Sequence, residues 1–401
     1  MSHLNFTPCK ADPDVWMRAA QAADGSIYYE FVLLYVDDIL CISLNPEKII
    51  RDEIGKYFQL KEESIGKPNI YLGNKVSKVT LENGVHAWAF SSARYIKSAV
   101  KNVKDHLKSK NLSLPTKADT PMSYGYRPEQ DTSDELNASD AAYYQSLIGI
   151  LRWIVELGRP DICVEVSMLA SHMALPRQGH LNQLYRIFGY LNNHHNSEIV
   201  FDPSPPDIPY NLFEEHDWND TVYDNCSEEL PIDAPEPRGH GFTMHAFVDS
   251  DHAGDCSTRR SRTGFIIYLN SAPIYYLSKK QTSVETSSFG SEFIALKTCC
   301  EYIRGLRYKL RMMGISVHSP AYIFEDNQSV LTNSTLPHST LKKKSSSIAY
   351  HYVREGVAKR EWMLTYISTH DNVADLLTKP LTNVEKRRRL ISMIIHHIYS
   401  Y

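Results

Sequence analysis

The stretch FVDSDHAGDCSTRRSRTGFIIYL, residues 247–269, contains two apolar runs separated by a polar segment rich in Asp, Ser and Arg. Runs of β-branched and aromatic residues bounded by turn-forming residues are typical of strands. The pattern predicts a strand over 242–249 that ends in acidic residues, followed by a hairpin over 263–278. The stretch therefore predicts a β-sheet with carboxylates at a strand end.

The segments that follow alternate between helical and strand-like patterns. They predict a long helix from Ser291, a strand over 321–326, and a strand over 362–369 followed by a short helix. This order indicates an α/β or α+β layer with a mixed sheet. The last segment, VEKRRRLISMIIHHIYSY (384–401), predicts a basic amphipathic helix that packs on this layer or contacts phosphate.

The N-terminal half is predicted to be α+β and then helical. Its predicted elements are a hairpin over 27–42, a helix over 46–58, strand-like pieces over 70–77 and 85–90, a helix over 93–108, and helical sequence over 139–193 that restarts at Pro160. The next segment, 202–237, contains seven prolines, many carboxylates and no Lys or Arg. Such a segment can bury little, so it is predicted to be a linker or long surface insertion, and the main domain boundary is placed there.

Composition places the chain among soluble globular proteins. The 401 residues are 42% hydrophobic and 22% charged, with a formal net charge of -4, which indicates no electrostatic footprint over the whole chain. Seven cysteines without a CxxC pair argue against a disulfide framework and a structural zinc site, and favour a reducing compartment. The chain has no apolar run long enough for a membrane span or signal peptide, so secretion and membrane insertion are not expected.

Four acidic residues fall at the ends of predicted elements: Asp249, Glu292, Asp326 and Asp375. Strand and helix ends are places where a fold can bring side chains to one point. Two divalent cations about 4 Å apart need several hard oxygen ligands, because one activates the attacking water and the other stabilises the leaving oxygen. Four carboxylates meet that requirement.

Each acid also has an ordinary structural interpretation. Glu292 precedes an apolar stripe at helical spacing that ends at Gly314, so it is predicted in the first turn of a helix, where it would complement the helix dipole. Asp249 could cap a turn, Asp326 could cap the next helix, and Asp375 could be a solvated acid in a first turn. Spacing by itself leaves both interpretations open.

Five ordered segments closely resemble the ribonuclease H domain of copia-type retrotransposon Pol polyproteins: FVDSDHAGDCSTRRSRTGFIIYL, LSKKQTSVETSSFGSEFIAL, FEDNQSV, IAYHYVREGVAKREW and NVADLLTKPL. The resemblance implies that Asp249, Glu292, Asp326 and Asp375 bind two Mg²⁺ or Mn²⁺ ions. It also implies hydrolysis of the RNA strand of an RNA/DNA hybrid.

Five basic residues near the predicted hairpin are candidates for phosphate contacts: Arg259, Arg260, Arg262, Lys279 and Lys280. A solvated basic hairpin is the alternative interpretation. His370 precedes Asp375 and could transfer a proton during product release, but its spacing differs from that of the loop histidine in cellular ribonucleases H, so it is not assigned as a ligand.

Tyr35-Val36-Asp37-Asp38 resembles the catalytic motif of reverse transcriptases. The flanking FTPCKADPDVW, YLGNKVSKV and YYQSLIGILRWIVELGRPDICVEVSMLASHM look like the remaining palm, thumb and connection of the same family. The resemblance implies that Asp37 and Asp38 bind metal together with an aspartate from an earlier strand. That strand is expected before residue 1, so this chain alone is expected not to polymerise DNA.

The resemblance implies a partial palm and the start of a thumb at 1–110, a helical thumb or connection at 111–201, an acidic proline-rich linker at 202–240, and a ribonuclease H-like mixed-sheet domain at 241–401. The implied partners are an RNA/DNA hybrid and the remainder of Pol, including integrase and the N-terminal reverse transcriptase. The implied location is cytoplasmic, in a virus-like particle, or nuclear, or both. The alternative is an inactive remnant that at most binds nucleic acid or a partner.

Overall fold

The computed structural model describes residues 1–341 and 347–399. Residues 342–346 and 400–401 lie outside the described residues, and the latter include the end of the predicted C-terminal helix. The strands are β1 (Thr7–Cys9), β2 (Asp12–Gln21), β3 (Ile27–Tyr35), β4 (Asp38–Ile42), β5 (Ile70–Tyr71), β6 (Asn74–Thr80), β7 (His86–Ser91), β8 (Ile199–Phe201), β9 (Met244–Asp251), β10 (Arg262–Leu269), β11 (Ala272–Lys280), β12 (Ala321–Glu325) and β13 (Trp362–Tyr366). The helices are α1 (Pro46–Lys48), α2 (Ala93–Ser109), α3 (Ala138–Glu156), α4 (Cys163–Ala170), α5 (Gln178–Asn193), α6 (Ser288–Met312), α7 (Gln328–Thr335), α8 (Ser347–Ala358) and α9 (Val384–Ser392).

The strands form three sheets in the described part of the chain. The first has the order β1-β2-β3-β4 and the second the order β5-β6-β7-β8. The third has the order β11-β10-β9-β12-β13, in which β9, β10 and β11 are antiparallel and β12 runs parallel to both β9 and β13. The predicted mixed α/β sheet after residue 241 is thus confirmed.

The long helix α6 covers one face of the third sheet. Alternate residues of β9 point to this face, and Met244, Ala246 and Val248 are buried against the apolar stripe of the helix. The helix begins at Ser288 because the Ser287 side chain caps it by accepting a hydrogen bond from the Gly290 backbone N–H. The predicted start at Ser291 is therefore wrong by three residues.

The other face of the third sheet packs against the helical segment, residues 93–193, which contains helices α2 to α5. Ile266 and Tyr268 of β10 share one apolar core with helices α2 to α5 and with α9. The C-terminal helix contributes Leu390 and Ile391 to this core and places Arg387 beside Glu165 of α4. The helical segment and the last sheet are consequently joined by a continuous core, while the predicted domain bounds stay a prediction.

The acidic proline-rich segment, residues 202–240, lies along the third sheet and its helices. Phe213 packs on the aromatic rings of Tyr322 and Phe324, and Tyr223 is also buried. Glu228 accepts hydrogen bonds from the guanidinium groups of Arg307 and Arg311 on α6. The prediction that this segment buries little is wrong at these positions, because its few aromatic residues and one carboxylate find partners on a surface that is distant in sequence.

Other predictions are confirmed in part. The hairpin over 27–42 is present, whereas the helix expected over 46–58 is a short α-helical turn followed by π- and 3₁₀-helical turns. The strand expected over 70–77 is split by a turn at Leu72 and Gly73, which both have positive φ. Among the residues that the structure describes, no helix combines the length and apolarity that crossing a membrane requires.

Candidate metal centre

Three carboxylates meet at the carboxyl ends of two interior strands of the third sheet, β9 and β12. Asp249 lies near the end of β9, Asp326 directly follows β12, and Glu292 faces them from α6. Because β9 and β12 are parallel neighbours, their carboxyl ends lie side by side. One carboxylate oxygen from each residue lies within 4.8 Å of the other two, which is the spacing of a shared cation ligand set.

Burial shapes the electrostatics of this group. It raises the pKa of Asp249 to about 8, an effect that the charge of Lys379 opposes and the charge of Asp375 reinforces. Burial likewise raises the pKa of Glu292 to about 9, with further contributions from the charges of Asp249 and Asp326. The Oε2 atom of Glu292 is buried without a hydrogen-bond partner in the described chain. Clustered, underpaired carboxylate oxygens of this kind fit a divalent cation.

Glu292 lies deeper in its helix than the sequence pattern predicts. Because α6 starts at Ser288, Glu292 is in the second turn rather than the first, and its side chain is buried. The interpretation as a first-turn acid that complements the helix dipole is therefore wrong. Asp326 is not a helix cap either, since the Asn327 side chain accepts the hydrogen bonds that cap α7.

Asp375 lies near this group but has different partners. It sits in a 3₁₀ turn, Val373–Leu377, whose first residue follows the capping residue Asn372. The Asn372 side chain also donates a hydrogen bond to the Val248 carbonyl of β9 at 2.8 Å, which fixes the turn beside the sheet. Asp375 forms ion pairs with Lys379 and Lys386 and is not part of the group of three.

Close packing between β10 and the Asp375 turn depends on a glycine. Gly264 pairs with Asp249 across the sheet, and a Cβ atom at Gly264 would lie 2.6 Å from Cγ2 of Thr378. Thr378 uses this proximity to donate a hydrogen bond from Oγ1 to Oδ2 of Asp249 at 2.5 Å. Glycine at this position therefore lets the turn approach β9.

Sequence reasoning missed three charged residues around the site. Glu325 is fully buried, and burial together with the charges of Glu292 and Asp326 raises its pKa well above the usual value. Its position next to Asp326 was the available signal. Because neighbouring side chains along a strand point to opposite faces, however, the sequence did not predict that Glu325 lies beside the site. Lys379 and Lys386 carried no signal, since exposed lysines are common in sequences.

The predicted phosphate-contacting residues divide into two groups. Arg259, Arg260 and Lys279 are exposed, whereas Lys280 is paired with Asp255 at 2.9 Å. Arg262 is 8% exposed and donates a hydrogen bond to Ser167 Oγ of α4 at 2.7 Å. The guanidinium of Arg262 thus joins the third sheet to the helical segment, and a phosphate contact by this residue stays a prediction.

The remaining predicted residues lie elsewhere. Asp37 and Asp38 are exposed at the turn between β3 and β4, where Val36 adopts a positive φ of 52°. In the described chain, Asp249, Glu292 and Asp326 form the one group of three side chains that could hold a metal ion. The hairpin acids therefore have no third carboxylate beside them. His370 is exposed in the loop that precedes Asp375.

The third sheet and its helices form a module that carries the three carboxylates and is attached to further sheets and helices. No family model matches the chain. Over 354 residues it is 27% identical to the retrovirus-related Pol polyprotein from transposon RE1 of Arabidopsis thaliana, which is 88% of this chain and 21% of that protein. Over 400 residues it is 25% identical to the retrovirus-related Pol polyprotein from transposon TNT 1-94 of Nicotiana tabacum, which is 98% of this chain and 26% of that protein.

The homologues of the chain are thus retrovirus-related Pol polyproteins of copia-type transposons, and the chain spans about a fifth to a quarter of their length. Solved structures similar to it include ribonuclease H1 from the archaeon Halobacterium salinarum, with 15% identity and a TM-score of 0.27 over 34% of this chain and 94% of that one. Another is LC11-RNase H1 in complex with RNA/DNA hybrid, with 14% identity and a TM-score of 0.28 over the same shares, 34% and 94%. At these scores the structural matches say nothing about activity.

Proposed function

We propose that the chain hydrolyses the RNA strand of RNA/DNA hybrids with divalent metal ions held at the ribonuclease H-like module. The observation that carries the proposal is the convergence of Asp249, Glu292 and Asp326, whose carboxylate oxygens lie within 4.8 Å of one another. The homology to Pol polyproteins supports it, since it covers 88% of the chain.

The three carboxylates would hold a Mg²⁺ or Mn²⁺ ion, and Asp375 would contribute to a second. Divalent ions in such a site supply a polarised water and stabilise the charge of the leaving oxygen. Burial raises the pKa values of Asp249 and Glu292, so these residues bind protons that a cation has to displace. Cation binding is therefore coupled to proton release.

The other residues of the site position the carboxylates and the substrate. Thr378 orients Asp249 through its hydrogen bond, and Asn372 holds the Asp375 turn against β9. The exposed Arg259 and Arg260 can contact the hybrid backbone, while selectivity for RNA requires recognition of the 2′-hydroxyl groups and of the hybrid shape.

The test is cleavage of an RNA/DNA hybrid labelled on the RNA strand, with Mg²⁺ or Mn²⁺, by the full chain. An Asp326→Asn variant should lose cleavage, because it removes one anionic ligand and keeps the side-chain size. An Asp105→Asn variant, which changes an exposed acid on α2, is the matched control and should retain activity. Labelled RNA and DNA duplexes of the same sequence measure selectivity.

Two outcomes would overturn the proposal. Equal cleavage by the wild-type and Asp326→Asn proteins would show that the activity arises outside this site. Binding of the hybrid without cleavage in either metal would favour a binding module, which is the alternative that the sequence leaves open.

A further inference from the structure

Two lysines converge on Asp375. The Lys379 Nζ atom lies 2.6 Å from Oδ1 of Asp375, and the Lys386 Nζ atom contacts Oδ2. Lys379 is four residues further along the chain, whereas Lys386 comes from α9 and also donates a hydrogen bond to the Thr369 carbonyl. The Asp375 side chain is only 1% exposed, so its charge is compensated by ammonium groups rather than by water.

The charge of Lys379 extends to the group of three carboxylates. Lys379 is also the largest favourable electrostatic influence on ionised Asp249. One ammonium group thus acts on both Asp249 and Asp375.

The group of three carboxylates and Asp375 therefore differ in how their charges are compensated. In the described chain, Glu292 keeps a buried carboxylate oxygen without a hydrogen-bond partner, so the group of three has ligand capacity to spare. Asp375 instead has an ammonium group at each of its oxygens. A cation that binds Asp375 has to displace at least one of these ammonium groups or bind against its repulsion.

We propose that Lys379 competes with the second divalent ion: one ion binds at Asp249, Glu292 and Asp326, and a second ion gains Asp375 only when the Lys379 ammonium moves away. This inference rests on the proposed function in one respect, because it requires the three carboxylates to bind a cation. It adds that the two ions bind with unequal affinity, and that a side chain of this protein sets the difference.

The test is calorimetric titration of the full chain with MnCl₂ alone, without nucleic acid. We expect one stronger and one weaker binding event in the wild-type protein. Lys379→Met should strengthen the weaker event by about tenfold or more, equivalent to about 1.4 kcal/mol. It should change the stronger event by a smaller factor, because the direct ion pair of Lys379 is with Asp375. Lys379→Arg, which retains the charge, should behave as wild type.

A matched control is Lys309→Met, which removes an exposed lysine near the end of α6 and should change neither event. Circular dichroism and urea unfolding verify that each variant is folded, and Lys379→Gln serves if the methionine variant is not. An unchanged weaker event in both neutral variants, or two equally strong events in the wild-type protein, would overturn the inference.

The titration and the cleavage assay distinguish failure of the inference from failure of the proposed function. A wild-type protein that binds one ion strongly, with no effect of the Lys379 substitutions, refutes the role of Lys379 and leaves the proposed hydrolysis intact. Strengthened second-ion binding without cleavage refutes the proposed hydrolysis and leaves the competition standing. A protein that binds no ion refutes both.

Discussion

Replacement of Arg387 by Met is expected to destabilise the junction between the helical segment and the module formed by the third sheet. Arg387 lies on α9 with 2% of its side chain exposed, and its Nη1 atom donates a hydrogen bond to Oε1 of Glu165 at 3.2 Å. Its Nη2 atom donates to the Asp161 carbonyl. The Glu165 side chain is 1% exposed, so the substitution would leave a buried carboxylate without its cation.

The magnitude follows from the cost of an unpaired buried charge. Removing one partner of a buried ion pair costs about 3–5 kcal/mol. Burial already raises the pKa of Glu165 to about 7, and Arg387 opposes that rise, so without Arg387 the carboxyl group takes up a proton near neutral pH. Because protonation neutralises the carboxylate, we expect the loss in the free energy of unfolding to lie at the lower end of this range, about 3 kcal/mol. This is a large share of the 5–15 kcal/mol typical of a folded domain.

The assay is urea unfolding of the wild-type, Arg387→Met and Arg388→Met proteins. Arg388 is the neighbouring exposed arginine, and its replacement should change stability by less than about 0.5 kcal/mol. The double variant Arg387→Met with Glu165→Gln should recover part of the loss. Recovery is expected because a neutral glutamine in place of Glu165 removes the cost of burying or protonating a carboxylate that has lost its cation.

An effect on the candidate metal site should accompany the loss of stability. Lys386, the residue before Arg387, contacts Asp375, so movement of α9 alters the surroundings of that carboxylate. Equal unfolding midpoints for Arg387→Met and Arg388→Met would refute the reasoning, because they would show that the buried pair does not hold α9 in place.

Three further outcomes are expected. Gly264→Ala should lower the free energy of unfolding by about 1–3 kcal/mol and reduce hybrid cleavage, because the new Cβ atom would clash with Thr378. Unchanged unfolding and cleavage would contradict this close packing. Without metal, thermal stability should fall as pH rises between about 4 and 9, because the raised pKa values of Asp249 and Glu292 make the folded chain bind more protons than the unfolded one. Added Mg²⁺ should reduce this fall. A rise in stability with pH would contradict the raised pKa values of these two carboxyl groups. Primer extension by this chain with Mg²⁺ should be absent, since the acids at 37–38 have no third carboxylate beside them in the described residues, and robust templated incorporation would refute this.

The sequence by itself determined the local elements and the candidates for chemistry. Strand-like runs with acids at their ends and the apolar stripe that follows Glu292 depend on neighbouring residues, so hydrophobic periodicity was sufficient to predict them. The start of α6 was misplaced because its cap, Ser287, lies in a run of polar residues where several could serve. The roles proposed for Asp249 and Asp326 came from resemblance, since single acids also cap turns and helices.

Only the tertiary structure decided which of these residues meet. The parallel pairing of β9 with β12 brings Asp249 to Asp326, although Asp375, an equally good candidate by sequence, faces Lys379 and Lys386 instead. The pairing of Arg387 with Glu165 joins residues 222 positions apart. Sequence patterns report on a few neighbouring residues, whereas burial and charge pairing depend on the packing of distant elements, so the environment of each carboxylate became visible only in the fold.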